Sequence, residues 1–310
     1  MEQAWQQISR RRRGNCRHQV SKVQFDALNG STIASNGGEE MVEPVPEVSK
    51  VKQLQIIQRV RAIADVLRDS LLIKDTRRVI VDHFNPTATK TLVFDEETGG
   101  ADEEDETFEP LMLIGYGLGS FCASSNAVHQ LGFLIALKRA LDETCYSTED
   151  ANVSKISGKI QHGVEIFDPA MNKSDAVIAE HFKLKVIEEN EHARRQVVCN
   201  TAFFMPHCGK ALYQNVLACN WGPAMTKLVI IGNSFSAYGD RIFSAEERKK
   251  LLLASLVPYL EEVRLPCGVP RIHKDFALYE AAFNDLSVHR FPSELLDGAL
   301  NTGMDLIDRS

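Results

Sequence analysis

From Leu111 onward the chain alternates short apolar runs with helical stretches, and this alternation constrains the fold more than any other feature. "LMLIGYG" (111–117), "VEIFDP" (164–169), "LKVIEEN" (184–190), "TAFFMP" (201–206) and "KLVIIGNSF" (227–235) each read as a buried strand that ends in glycine, proline or a polar residue. Between them lie helical patterns from about Ala123 to Asp142, with Val128, Leu131, Leu134, Ile135 and Leu137 on one face, from Lys173 to Phe182 and from Gly209 to Asn220. Another is predicted from Ser244 to Glu262, opened by the capping box Ser244-Ala-Glu-Glu. "AAFNDLSVHRF" (281–291) is expected to add a strand at a sheet edge, with His289 as a structural residue there. Short buried strands that alternate with helices imply crossovers and a sheet covered on both faces. The fold class that follows is α/β: a doubly wound, mostly parallel, Rossmann-like sheet.

That domain is assigned to 108–310, with a polar surface loop from Thr144 to Gln161. Residues 1–48 include "NGSTIASNGGEEMVEPVPEVS", too poor in apolar groups to offset chain entropy, and read as a disordered tail. A helical extension over 49–94 follows, with Ser49 as N-cap and Leu54, Ile57, Val60, Ile63 and Leu67 as the stripe that packs on the core. Within it "RRVIVDHF" suits either a strand or a continued helix. An acidic linker occupies 95–107.

No apolar run approaches the roughly 20 residues needed to span a bilayer, so no membrane partner is expected. The net charge of −7 makes nucleic acid an unexpected partner, although Arg10 to Arg13 could serve as a nuclear address or simply as a solvated arm. Seven cysteines without regular spacing suit a reducing compartment, cytoplasm or nucleus. Cys199, His207, Cys208 and Cys219 lack zinc-type spacing, so no metal is expected, and haem is no better supported.

The candidate chemistry gathers at predicted strand ends. Gly115, Gly117 and Gly119 follow a strand and open a helix, where backbone N–H groups and the helix dipole can receive a phosphate or carboxylate. The spacing Gly-x-Gly-x-Gly-Ser places Ser120 where the dinucleotide fingerprint has Gly or Ala. That departure points toward S-adenosylmethionine-binding sheets, yet Leu113 stands where those carry an acid. The alternative is a turn that serves packing alone. Asp168 ends the second strand, where it can bond ribose hydroxyls or cap its own turn. His207 and Cys208 follow the fourth strand, where a His can move protons and a Cys at a helix N-terminus can have a lowered pKa. Neighbouring side chains there diverge, which argues against a His–Cys pair. Asn233 and Ser234, after the fifth strand, can bond a ligand or satisfy loop backbone.

"GYGLGSF", "FDP", "FFMPHCGKALYQNVLACNW", "VIIGNSFSAY" and "AFNDLSVHRF", in that order between about Phe108 and Phe291, resemble the Sensitivity to Red light Reduced (SRR-like) proteins. The resemblance implies a role in circadian-clock regulation, in control of haem biosynthesis as in animal members, and in the cytoplasm and nucleus. A fungal relative is linked to microtubule behaviour. It carries over no catalytic residues. The expectation is a regulatory protein that acts by binding a nucleotide-like ligand and regulatory protein partners. Gly115, Gly117, Gly119, Asp168, His207, Asn233 and Ser234 are the expected ligand residues. The alternatives are an S-adenosylmethionine-dependent methyltransferase-like enzyme, with His207 or Asn233 near the transferred group, and a ligand-free scaffold that docks partners on its N-terminal helix or acidic loop.

Overall fold

The computed structural model describes residues 46–85, 111–144, 163–240 and 252–301. The Arg10–Arg13 knot, the acidic linker, the capping box at Ser244 and most of the 144–161 insert lie outside them.

Five parallel strands form the body of the sheet: β1 Met112–Tyr116, β2 Gly163–Phe167, β3 Lys185–Val186, β4 Thr201–Met205 and β5 Leu228–Asn233. Two more, β6 Glu261–Arg264 and β7 Leu286–Arg290, complete the seven-stranded order β3-β2-β1-β4-β5-β7-β6. β7 runs antiparallel to both neighbours, so β6 points the same way as the first five. Neighbouring residues within a strand face opposite layers. Leu113, Ala202, Phe204, Val229, Ile231 and Val288 enter one core; Ile114, Phe203, Met205 and Ile230 enter the other. This two-sided burial explains why β1, β4 and β5 are nearly continuous apolar runs without polar alternation.

The first core lies under α1 Lys50–Leu67, α2 Leu71–Phe84, α3 Ser125–Thr144, α4 Lys173–His181 and α8 Phe276–Phe283. The second lies under α5 Lys210–Cys219, α6 Phe235–Asp240, α7 Leu252–Leu256 and α9 Ser293–Asn301. α1 is held on α3 by Ile63, whose Cγ2 would be 2.5 Å from a Cβ on Gly132, and by Arg139 pairing with Asp65 at 3.0 Å.

Four local expectations change. The long N-terminal helix is two, because Ser70 turns the chain and caps α2 by accepting from the Ile73 N–H at 3.3 Å. "RRVIVDHF" is therefore the end of α2. Leu54 is 58% exposed, and Ile56 and Ala64 join the buried stripe instead. The helix predicted to Glu262 stops earlier: 257–259 is a single 3-10 turn, and Glu261–Arg264 is the edge strand. That displaces β7 from the edge to an interior position, with Ser287 and His289 fully buried.

Candidate functional site

In the order β3-β2-β1-β4-β5, the chain leaves β1 in both directions, so a topological switch point lies between β1 and β4. Doubly wound sheets bind ligands outside the carboxyl ends of their strands at such a point. The turn after β1 (Gly117–Ser120) and the turn after β4 (Pro206–Gly209) flank it, with Asp168 beyond β2 and Asn233 and Ser234 at the end of β5. Six of the seven expected residues thus lie along one edge of four neighbouring strands; Gly115 does not, because it sits inside β1, paired with Ile166 and Phe204, where a Cβ would meet the Leu118, Leu134 and Ile166 side chains at 3.1–3.2 Å.

Asp168 and the glycine turn are in direct contact. Its two carboxylate oxygens accept from the Gly119 N–H at 2.7 Å and the Ala170 N–H at 2.8 Å. Gly117 and Gly119 adopt φ of 72° and 77°, the left-handed region that a side chain resists. A Cβ on Gly117 would lie 2.5 Å from the Cys208 sulfur, so this glycine admits a protein thiol from the turn after β4. The next turn is held by Asp175, which is fully buried near the start of α4. It accepts from the Ser120 hydroxyl at 2.7 Å, the Cys122 N–H at 3.0 Å and the Asn172 N–H at 2.9 Å. α3 therefore begins at Ser125, a full turn beyond the last glycine.

At the β4 and β5 ends the links continue. His207, in the left-handed region at φ 56°, donates its N–H to Asn233 Oδ1 at 2.8 Å. Its ring Nε2 donates to the Ala282 carbonyl at 3.1 Å. Asn233 Nδ2 donates to the Cys208 carbonyl at 3.4 Å and to the Tyr238 hydroxyl at 3.2 Å. The fully buried Tyr213 joins both strands: its hydroxyl donates to the Met205 carbonyl at 2.5 Å and accepts from the Asn233 N–H at 2.9 Å. Ser234 donates its N–H to the Asp285 carbonyl at 3.1 Å, and its hydroxyl caps α6 through the Ala237 N–H at 3.1 Å.

The Cys208 thiol differs from expectation. Burial, reinforced by the nearby Asp168 charge, pushes it up to about 12, so it is inert packing and no activated nucleophile. Its Sγ turns inward to the Tyr116 carbonyl while His207 points outward to Ala282; the two side chains diverge as expected. Among the described residues no group of three or more His, Cys, Asp or Glu side chains is placed to hold a metal, and no helix is long and apolar enough to cross a membrane.

Sequence reasoning missed three contributors. Asp175 was detectable from Asn172-Lys-Ser-Asp175, a capping box in which the acid also reaches back to Ser120. Tyr213 offered no signal beyond an aromatic on a helix face. Glu262 was assigned to a helix, yet from β6 it accepts the Ser236 N–H at 3.0 Å and lies 3.8 Å from His289 Nε2. Burial alone would raise Glu262; bonds from Ser234 and Ser236 reverse this and hold it below the usual carboxylate range. His289 stacks on Phe235 at 3.9 Å, and burial lowers its pKa to about 4.

A doubly wound α/β protein with a hydrogen-bonded rim at its switch point is the class that this fold and site define. A model of the SRR1 domain matches residues 80–290, more than half the chain, and the chain belongs to that family. It is 30% identical over 194 residues to "Protein SENSITIVITY TO RED LIGHT REDUCED 1" of Arabidopsis thaliana, covering 59% of either chain. It is also 30% identical to an SRR1-like protein of Mus musculus over 152 residues, 48% of this chain and 52% of that one. To an SRR1-like protein of Drosophila melanogaster it is 25% identical over 188 residues, 60% of this chain and 57% of the relative. The match thus spans less than two thirds of each relative's length. No solved structure matches the chain.

Proposed function

We propose that this chain is a regulatory protein of circadian-clock output and haem biosynthesis, acting through a nucleotide-type ligand held at the carboxyl edge of β1, β2, β4 and β5. Family membership supports the regulatory role, and the name of the Arabidopsis relative ties that protein to red-light sensitivity. The observation that carries the ligand reading is the placement of the Gly117–Ser120 and Pro206–Gly209 turns, with Asp168 and Asn233 beside them, at the switch point outside the carboxyl ends of the strands. In this reading Asp168 receives the ribose, and the bound or empty rim sets affinity for protein partners in the cytoplasm and nucleus. Binding is favoured over turnover because Cys208 is buried against the Tyr116 carbonyl and its thiol is pushed up, which removes the nucleophile nearest the glycine turn.

Calorimetric titration of the full chain with S-adenosylmethionine, NAD and haem tests this, repeated with Asp168→Asn. The expected result is binding of one of them, weakened about tenfold by the substitution, or about 1.4 kcal/mol. Expression of wild type, but not Asp168→Asn, should also restore rhythmic transcript levels in depleted cells. Silence with all three from a folded chain would favour the scaffold instead.

One observation favours a second reading, a methyltransferase-like enzyme. The reversed β7 between β5 and β6 departs from the dinucleotide order 3-2-1-4-5-6 and matches the order of S-adenosylmethionine-dependent methyltransferase sheets. Production of S-adenosylhomocysteine from S-adenosylmethionine and cell extract, abolished by Asp168→Asn, would establish it.

A further inference from the structure

Resting on the ligand reading above, we propose that the site admits an unphosphorylated nucleoside-type ligand and rejects phosphate-bearing nucleotides. A phosphate site at a glycine turn works through open backbone N–H groups and the positive end of the following helix. Here the chain's own carboxylates take that place. Asp168 holds the Gly119 N–H at 2.7 Å, and Asp175 holds the Cys122 N–H at 3.0 Å together with the Ser120 hydroxyl at 2.7 Å. The Gly117 N–H is bound by the Phe167 carbonyl at 3.1 Å, and the Ala123 and Ser124 N–H groups by the Ser120 carbonyl at 3.2 and 2.9 Å. An incoming phosphate meets two negative charges where it requires donors. The path over the glycine backbone is closed as well, because the Cys208 sulfur fills the place of a side chain on Gly117. The pyrophosphate of a dinucleotide uses that close approach.

A ribose presents the opposite chemistry. Each Asp168 oxygen accepts one N–H and keeps a lone pair, so the rim supplies acceptors. Hydroxyl donors suit it; phosphate oxygens do not.

The test is calorimetric titration of the full chain with adenosine and guanosine and with their mono- and diphosphates, at low and high salt. The expected series is one in which a nucleoside binds and the first phosphate weakens it at least tenfold, a penalty that shrinks as salt screens it. In Asp168→Asn, nucleoside affinity should fall about tenfold while the gap between nucleoside and monophosphate narrows. A mono- or diphosphate that binds more tightly than its nucleoside overturns this inference and leaves the ligand reading standing. Silence across the whole panel from a chain shown by its melting transition to be folded overturns this inference, and the ligand reading then stands or falls on the titrations with S-adenosylmethionine, NAD and haem. If Asp168→Asn fails to fold, the phosphate series in the wild type still decides.

Discussion

The sulfur of Cys208 stands where a side chain on Gly117 would begin: a Cβ built there lies 2.5 Å from Sγ. Turns from β1 and β4 are thereby interlocked across the switch point, glycine as the socket and cysteine as the plug.

Gly117→Ala should therefore be costly twice over. The φ of 72° disfavours an L side chain by about 1–2 kcal/mol, and forcing a methyl against the sulfur adds about 1–3 kcal/mol. Adding Cys208→Ala relieves only the second term. Urea unfolding of the single and double variants should give a double variant more stable than the sum of the singles predicts.

Tyr213→Phe removes one oxygen and strands two backbone groups, the Met205 carbonyl and the Asn233 N–H. A loss of about 2 kcal/mol is expected, the scale for buried polar groups left without partners. Hydrogen exchange should show the Asn233 amide losing protection before the central β5 amides do.

Stability should decline in mild acid. His289 is buried as the neutral ring with a pKa lowered to about 4 from 6.5, and His83 is lowered to about 4 chiefly by burial. Above pH 6.5 folded and unfolded forms are both neutral and the full stability is present. As pH falls from 6.5 toward 4 the unfolded chain takes up protons that the fold refuses, so stability drops, by about 3 kcal/mol from His289 alone. Below pH 4 this group contributes no further change. Denaturation midpoints across pH 4–7 should show that slope, and His289→Gln should flatten it.

The matched domain begins at residue 80, inside α2, but the core does not. A chain that starts at residue 80 lacks Ile56, Ile57, Val60, Ile63, Ala64 and Leu67, all buried in the first core. It should aggregate or bind apolar dyes. Gly132→Ala tests the same contact in the full chain. The helix-propensity gain of about 1 kcal/mol is outweighed by the clash with Ile63, and the melting temperature should fall.

β1, β2, β4 and β5 were legible because burial on both faces makes each a largely apolar run that breaks at a glycine, proline or aspartate, as at Phe167-Asp168-Pro169, whereas the run expected over 184–190 gives only the edge pair Lys185–Val186. β6 was not, since only Val263 is apolar in Glu261–Arg264 and an edge strand buries too little to impose a pattern. β7 read as a strand, but its place did not: the interior position of His289 depends on β6, which the sequence hides. At the site, the alignment of Gly117, Asp168, His207 and Asn233 along one edge followed from topology. Their partners did not, because Asp175 and Tyr213 act across separations of 55 and 20 residues.

The hydroxyl of Tyr213 gives and receives one bond, and through it the ends of β4 and β5 share a single pin. From Asn233 the connection passes to Ser234, Ser236 and Glu262, and so to the far border of the sheet. Mechanically this edge is a truss. A load applied at His207 reaches β6 at the border through the first turn of α6, so that helix and the strand ends move as one piece.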